Sequence, residues 1–360
     1  MTSRRTMRIA IVASNRHPIA EPFAGGMESH TWTLARGLRV RGHEVRVHAG
    51  AGSDPGLGDV RVLDDRPLRL TVDARDDVSM PAETFMRDHH AYQRLMLRLA
   101  ADRTVDVVHN NSLHYLPVAM AGTLHCPTVT TLHTPPTPWL ESAATAADGS
   151  TFVAVSSHTA SRWSQRLHVA QVIANGIDLD RWPRRDGAGG YAVWSGRLVP
   201  EKGAHLAVAA AAEAGVPLVL AGPAPDTAYL HEVLLPGLGR GARWVGHLDH
   251  EALAHLVGLA SVAVVTPCWD EPYGLVVAEA LSTGTPVAAF ARGAVPELVT
   301  EQCATLAEPG DVVGLAAAIR RSVRLSRAAA RSRATASGSP GPSPHIPAAC
   351  SCSPGRPARA

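Results

Sequence analysis

The stretch that decides the fold is MRIAIVAS at residues 7–14, followed by GMESHTWTLARGLRVRGHEVRVHA at residues 26–49. The first segment is a short apolar run typical of a buried strand, and the apolar spacing over 26–40 predicts a helix. Gly42 ends that helix, and residues 43–49 predict a second strand. A strand, a helix and a strand in this order form the unit from which parallel sheets are built.

The same alternation continues along the whole chain. Further strands are predicted at 105–109, 127–132, 151–156 and 170–174, with helices at 82–103, 113–122 and 157–167. Beyond 181–190 the pattern restarts with strands at 191–196, 217–222, 242–246, 261–267 and 286–290, and helices at 203–215, 226–235, 249–258 and 274–283. We predict an α/β fold of two facing Rossmann-like, doubly wound parallel-sheet domains, with a ligand cleft between them at the carboxyl ends of the strands.

The composition along the chain predicts where these domains begin and end. Residues 7–180 form the first domain, the Pro-, Gly- and charge-rich residues 181–190 form a linker, and residues 191–326 form the second domain. Residues 327–360 are dominated by Ala, Pro, Ser, Arg and Gly and contain no acidic residue and one large aliphatic side chain, Ile346. This composition predicts a disordered tail.

Composition also excludes several classes of protein. A net charge of +2 is too small to predict binding to nucleic acid or to an anionic membrane. No apolar run is long enough to span a bilayer, and residues 1–7 lack the apolar segment of a signal peptide, so we expect a cytoplasmic protein. The five cysteines contain no C-x-x-C pair and the eighteen histidines no H-E-x-x-H spacing, so neither a disulfide framework nor a metal site is predicted.

The strongest local motif is DEPYGLVVAEAL at 270–281, which follows a predicted strand and opens a helix. Gly274 lets a ligand approach the backbone, and the free amides around it begin a helix whose positive end suits oxygen-rich ligands. Glu271 lies before the helix and Glu279 about one turn inside it, and carboxylates accept hydrogen bonds from the vicinal hydroxyls of sugars. The alternative is a negatively charged first turn that stabilises only its own helix.

A second motif, SGRLVPEKG at 195–203, also lies between a strand and a helix. Arg197 and Lys202 flank one loop there, and a guanidinium beside an ammonium complements a diphosphate. Lys202 is the single lysine among 34 basic residues, which singles out its position. The alternative is a solvated basic loop. It is not a Walker loop, because no Gly precedes Lys202 and no Ser or Thr follows it.

Weaker signals lie where strands of the first domain end. Gly25 and Gly26 stand between the first strand and the first helix, where backbone amides could reach a phosphate or a sugar, although glycine pairs also form plain turns. His109 and His133 end two strands and could hydrogen-bond a ligand at the mouth of the cleft. The alternative for each is a structural histidine.

In this order, the motifs resemble those of the retaining nucleotide-sugar glycosyltransferases of family four, which have the GT-B fold. The resemblance covers about residues 7–325. It rests on the glycine pair with Met27-Glu28, His133 in T-L-H-T, V-S-S (155–157), N-G-I-D (175–178), G-R-x-x-x-E-K-G (196–203) and E-x7-E (271–279).

The resemblance implies roles for these residues. The catalytic residues would be Glu271, His133, Arg197 and Lys202. The donor-binding residues would be Gly25, Gly26, Arg197, Lys202, Tyr273, Gly274, Leu275 and Glu279. His109 would lie near the acceptor, which the sequence does not identify, and the donor would be a nucleotide-diphosphate sugar, with a uridine diphosphate sugar favoured. No metal ion and no cofactor is implied.

One departure from the family leaves a second hypothesis open. The family ends with a helix that crosses back onto the first domain, whereas here the unusual tail begins after Arg324. The chain could therefore be a truncated, non-catalytic relative that still binds nucleotide. A GT-B epimerase or phosphorylase and a glycoside hydrolase are less favoured, because the cationic loop has no use in a hydrolase and Lys202 lies in the diphosphate motif.

Overall fold

The structure is a computed structural model that describes residues 6–63, 66–185, 189–239 and 241–338. Within those residues the chain folds into two parallel-sheet α/β domains, as predicted. The strands of the first sheet are β1 (Arg8–Val12), β2 (Glu44–Ala49), β3 (Asp59–Val62), β4 (Val107–Asn110), β5 (Thr128–Leu132), β6 (Ser150–Ala154) and β7 (Val169–Val172). The strands of the second are β8 (Ala192–Ser195), β9 (Leu218–Ala221), β10 (Ala242–Trp244), β11 (Val262–Val265), β12 (Val287–Phe290) and β13 (Ala304–Ala307).

Helices cover both faces of each sheet. Those of the first domain are α1 (Gly26–Val40), α2 (Val72–Arg75), α3 (Glu83–Ala101), α4 (Leu116–Ala119), α5 (Pro138–Ala146) and α6 (Ser157–Trp163). Those that follow are α7 (Ala204–Ala214), α8 (His250–Leu259), α9 (Leu275–Ser282), α10 (Val295–Leu298), α11 (Val312–Ser322) and α12 (Arg327–Gly338). The helix predicted at 226–235 is a π-helix over Tyr229–Leu234, and short 3-10 turns occupy Pro55–Leu57, Ala121–Thr123, Pro200–Lys202 and Leu235–Gly237.

The two sheets share one strand order. The first runs β3-β2-β1-β4-β5-β6-β7 and the second β10-β9-β8-β11-β12-β13, and every pairing between strands is parallel. In each sheet the order reverses beside the first strand of the domain. Doubly wound sheets bind ligands at this switch point, outside the carboxyl ends of the strands.

Each sheet is buried on both faces because apolar residues occupy successive strand positions. In β1, Ile9 and Ile11 pack into one core with Trp32 of α1, whereas Ala10 and Val12 pack into a second core on the opposite face. Side chains alternate between the faces of a strand, so such a continuous apolar run requires helices on both sides.

The structure describes part of the predicted linker and corrects part of the prediction for the tail. Residues 186–188 of the predicted linker lie outside the described residues, and Trp182 within it is buried in a core of the second domain. The prediction of a disordered tail at 327–360 is wrong for residues 327–338, which form α12; residues 339–360 lie outside the described residues. Ala330 and Ala334 of this helix are buried in the same core.

The arginines of α12 explain why this segment is ordered. Arg327 donates hydrogen bonds to the carbonyls of Gly258 and Ala260 at the end of α8, the second of these at 2.8 Å. Arg331 donates to the carbonyl of Ser282 at the end of α9, and Arg333 donates to that of Leu298 at the end of α10 at 2.9 Å. The last carbonyls of a helix have no partner within it, so each guanidinium satisfies acceptors that would otherwise be left open.

We predict that ending the chain after Ser326 destabilises the second domain by about 3 kcal/mol or more, because the exposed carbonyls and the apolar surface lose their cover. Urea denaturation monitored by circular dichroism measures the loss. A chain that ends after Gly338 keeps every described contact of α12 and is the matched control. Equal stability of the two truncated chains would show that α12 does not hold the domain together.

Candidate active site

A cleft of about 540 Å³ lies between the carboxyl ends of the two sheets. Both domains line it, and the structure brings together every predicted site residue except His109. The predicted residues in its lining are Gly25, Gly26, His133, Arg197, Lys202, Glu271, Tyr273, Gly274, Leu275 and Glu279.

A glycine fixes the position of Lys202. The lysine ends a 3-10 turn, and Gly203 follows with a φ of 68° in the left-handed region before α7 begins. A Cβ atom on Gly203 would lie 2.1 Å from the carbonyl oxygen of Thr266, so only glycine fits there. The backbone therefore holds Lys202 against the strand that leads into the 270–281 motif.

Lys202 forms an ion pair with Glu271. Its Nζ lies 2.6 Å from Oε2 of Glu271, which also accepts a hydrogen bond of 3.1 Å from Nε1 of Trp269. The ammonium lies 4.9 Å from the centre of the Trp269 ring. Arg197 is more exposed and lies 3.9 Å from the carboxylate of Glu201, at the edge of ion-pair range. Both cations therefore lie at the cleft, Lys202 tightly paired and Arg197 loosely.

The loop that carries Glu271 is held by the first domain. The hydroxyl of Ser156 donates to the carbonyl of Pro272 at 2.6 Å, and that of Thr159 donates to the same oxygen at 3.0 Å. On the other side of the loop, the Tyr273 hydroxyl donates to the carbonyl of Asn175 at 2.9 Å. Residues of two short motifs, V-S-S and N-G-I-D, thereby contact the loop of residues 271–274 across the cleft.

A second contact between the domains was not predicted from the sequence. The carboxylate of Glu297, in α10, accepts hydrogen bonds from the backbone amides of Ser157 at 2.8 Å and His158 at 2.6 Å. These amides begin α6, so a side chain 140 residues away from Ser157 caps the helix. No local pattern reveals such a cap, because its partners meet only after both domains fold.

Two helix N-termini meet at the cleft. α1 begins after Gly25 and α9 after Gly274, and neither cap residue has a side chain that bonds the free amides. A Cβ atom on Gly26 would lie 2.9 Å from Cδ1 of Leu275, so the two helix ends lie in contact. Both present unbonded N–H groups and a positive dipole end, which suits an anionic ligand.

Glu279 is the most perturbed carboxyl group in the cleft. Within the described residues, no hydrogen bond or ion pair reaches its carboxylate, and burial raises its pKa to about 7. Burial disfavours the charged form of a carboxylate that has no partner. Glu279 therefore changes its charge near neutral pH, unlike an exposed glutamate.

His133 faces the cleft as a neutral imidazole. Its Nε2 lies 2.8 Å from Oδ1 of Asn111, and His30 packs edge-on against it with ring centres 5.0 Å apart. Burial, followed by the charges of His30 and His109, holds the pKa of His133 well below its usual value. An amide oxygen only accepts, so Nε2 carries the hydrogen and Nδ1 keeps a lone pair for a ligand hydroxyl.

His109 lies outside the lining of the cleft. It belongs to β4 rather than to the loop after it, and its Nε2 lies 2.8 Å from the hydroxyl of Thr131. It is absent from the cleft lining, so its location gives no support to the predicted contact with the acceptor. Among the described residues, no cluster of three side chains suited to a metal ion occurs, and no helix is long and apolar enough to cross a membrane.

Two Rossmann-like domains that share a cleft lined by cations, helix N-termini and carboxylates have the GT-B architecture, and this lining suits a glycosyltransferase. The family model for Glycosyltransferase Family 4 matches residues 24–181, and that for Glycosyl transferases group 1 matches residues 183–337. The chain belongs to the family-four glycosyltransferases, as the motifs predicted.

Named relatives and a solved structure agree with this assignment. A glycogen synthase of Mycobacterium tuberculosis (strain ATCC 25618 / H37Rv) is 32% identical over 91% of this chain and 88% of its own. A D-inositol 3-phosphate glycosyltransferase of Mycobacterium avium (strain 104) is 29% identical over 82% of this chain and 80% of its own. The crystal structure of Anabaena HepE in complex with UDP-glucose has the same fold, with a TM-score of 0.71, 19% identity and coverage of 92% of this chain and 95% of that one.

We predict that Glu297→Ala lowers the rate of glycosyl transfer about tenfold, because the amides of Ser157 and His158 lose their acceptor and Ser156 is left as the only cap of the helix that holds the Pro272 loop. Steady-state kinetics measure the rate, and thermal denaturation checks that the domains stay folded. Glu301→Ala removes a nearby exposed carboxylate and is the matched control. Equal rates for the two variants would contradict a role for Glu297 in positioning the loop.

Proposed function

We propose that the protein transfers a glycosyl group from a nucleotide-diphosphate sugar to an acceptor hydroxyl, with retention of anomeric configuration and without a metal ion. The observation that carries the proposal is the placement of Lys202, Arg197 and two helix N-termini at one cleft with the carboxylates of Glu271 and Glu279. Cations and positive helix ends suit a diphosphate, whereas carboxylates suit hydroxyls. A nucleotide sugar presents both.

Different residues would contact different parts of the donor. Lys202 and Arg197 would hold the diphosphate and offset the negative charge that grows as it leaves. Glu271, with the amides of Tyr273 and Gly274, would contact the transferred sugar, and Glu279 would accept hydrogen bonds from the ribose. Glu271 and Lys202 lie in contact, so the sugar and the diphosphate would occupy adjoining positions.

In the proposed reaction, the bond from the anomeric carbon to the phosphate oxygen breaks, and the acceptor oxygen bonds to the same face of that carbon. The acceptor proton passes to the departing phosphate, so no side-chain base is required. His133 would accept a hydrogen bond from the sugar through Nδ1 and remain neutral. Contacts between the domains would limit access of water to the sugar.

A uridine diphosphate sugar is the donor we favour. HepE, which shares the fold, is described in complex with UDP-glucose, and the named relatives are glycosyltransferases. Their names indicate two different acceptors, glycogen and D-inositol 3-phosphate, so similarity alone does not choose the acceptor. A panel of nucleotide sugars, tested by thermal shift and by transfer or hydrolysis, tests the donor directly.

The truncated, non-catalytic hypothesis is not favoured. The stretch of sequence after Arg324 forms α12, with Ala330 and Ala334 buried in a core of the second domain. The helix also holds the linker, because Arg331 donates to the carbonyl of Trp182 at 2.9 Å.

We predict that Lys202→Ala lowers turnover by about two to three orders of magnitude, since one positioned charge on the leaving group is typically worth about 3 kcal/mol in the transition state. Lys202→Arg should recover part of that loss. Arg103→Ala removes an exposed cation from the end of α3 and serves as control. Turnover of Lys202→Ala near that of the native chain would contradict the diphosphate role.

We predict that affinity for UDP-glucose rises between pH 6 and pH 8 and that Glu279→Gln abolishes this rise. The charged carboxylate accepts ribose hydrogen bonds better than the protonated acid, and the pKa of about 7 places the change in this range. The two phosphates of UDP-glucose stay ionised throughout, so the ligand adds no titration of its own. Isothermal titration calorimetry measures the affinity, and the same slope in both proteins would contradict the ribose contact.

A further inference from the structure

A column of stacked rings runs from the core of the first domain to its surface. The rings of Tyr92 and His114 stack with centres 4.3 Å apart, and those of His114 and Tyr115 with centres 4.8 Å apart. Trp139 continues the column, with its ring centre 5.2 Å from that of Tyr115 and the planes inclined by 28°. The four rings come from three separate segments of the chain, so the column forms only in the folded domain.

The column is anchored at its inner end and braced along its length. The Tyr92 side chain is buried, and its hydroxyl donates to the carbonyl of Ala13 at 2.8 Å. The hydroxyl of Tyr115 lies 2.7 Å from Nδ1 of His89. The outer ring therefore rests on a rigid support, which is the preorganisation that binding surfaces use to limit the entropy lost on binding.

The outer end of the column is exposed. Trp139 is 60% exposed, whereas the other six tryptophans of the chain, all within the described residues, are buried or half-buried. Phe85 packs against one side of it, with ring centres 5.6 Å apart. An indole that is 60% exposed on a rigid support adds little to the core and suits a ligand instead.

The exposed ring lies near the start of α5, on the same edge of the first sheet as the active-site cleft. Leu113 and Thr134 line the cleft and follow the carboxyl ends of β4 and β5. Tyr115 comes two residues after Leu113, and Trp139 five residues after Thr134. Neither ring lines the cleft itself, so a group bound on Trp139 lies outside the cleft that would hold the reacting group.

The polar groups of the column are uncharged at neutral pH. Burial, with a smaller effect of His90, lowers the pKa of His89, and burial lowers the pKa of His114 to about 4. Flat apolar faces beside neutral donors and acceptors match a pyranose ring, which has C–H bonds on its faces and hydroxyls around its edge.

We infer that Trp139, supported by Tyr115 and Phe85, is an acceptor subsite that stacks a sugar ring. The acceptor is then a saccharide of at least two rings, one stacked on Trp139 and another presenting its hydroxyl in the cleft. This inference rests on the proposed transfer to an acceptor hydroxyl and adds the chemical class of that acceptor.

The test compares neutral oligosaccharides as acceptors and as plain ligands. Maltoheptaose, cellopentaose and mannopentaose are each offered with UDP-glucose, alongside the single sugars glucose and mannose. For the best oligosaccharide, Trp139→Ala should raise KM about tenfold and leave kcat and the hydrolysis of UDP-glucose without acceptor unchanged. Trp139→Phe should keep most of the affinity, and Leu97→Ala, an exposed position on α3, is the matched control.

A binding measurement keeps the two proposals distinguishable. Titration of each oligosaccharide without donor, followed by tryptophan fluorescence and calorimetry, should give binding that Trp139→Ala weakens about tenfold. Absence of any turnover of nucleotide sugars would refute the proposed function while this binding could still support the subsite. Binding and KM that do not depend on Trp139, or binding by none of the oligosaccharides, would overturn the subsite. The subsite would also be overturned if the enzyme transferred sugar to D-inositol 3-phosphate and to none of the oligosaccharides. It would equally be overturned if the only effect of Trp139→Ala were weaker binding to phosphatidylglycerol vesicles.

Discussion

The carbonyl oxygen of Pro272 is the point on which the arrangement of the site depends. It belongs to the second domain and accepts hydrogen bonds from Ser156 and Thr159 of the first. The residue before it is Glu271, and α9 begins three residues after it, at Leu275. The hydroxyls of Ser156 and Thr159 in the first domain thus fix the positions of both a carboxylate and a helix N-terminus of the second domain. A change in the angle between the domains would move these two groups relative to His133, which belongs to the other side of the cleft.

The contacts behind this point form a continuous series. Arg333 of α12 donates to the backbone carbonyls of Glu297 and Leu298, and the Glu297 carboxylate caps α6, which carries Thr159 and follows Ser156. The C-terminal helix therefore supports the active-site loop through two intermediates, although it lies outside the cleft lining. Each link gives a partner to a backbone carbonyl or amide at a helix end, which has none within its own helix.

Sequence patterns predicted what depends on local order and missed what depends on distant contacts. The helix at 26–40 and the cleft-facing residues from Gly25 to Glu279 followed from apolar periodicity and from motifs at strand ends. The prediction of one disordered segment over 327–360 was wrong for its first twelve residues, because it rested on the average composition of the whole segment. Those twelve residues are rich in Ala and Arg, which favour helix, and their guanidinium groups bond backbone carbonyls of the second domain. No local sequence pattern marks Glu297 as a cap for α6. The sequence also could not distinguish His109 from His133, because both lie at the end of a predicted strand and only the structure shows that His133 alone lines the cleft.

The ion pair between Lys202 and Glu271 affects which ligands the cleft binds best. Each charge is partly removed from water, and each satisfies the other while no ligand is bound. On the proposed function, an anion that draws Lys202 away leaves the carboxylate without its cation, which costs part of the energy that the anion gains. A donor that brings sugar hydroxyls to Glu271 and phosphates to Lys202 satisfies both partners at once. A bare nucleotide diphosphate satisfies only one of them, so this ion pair favours the complete nucleotide sugar over the product that remains after transfer.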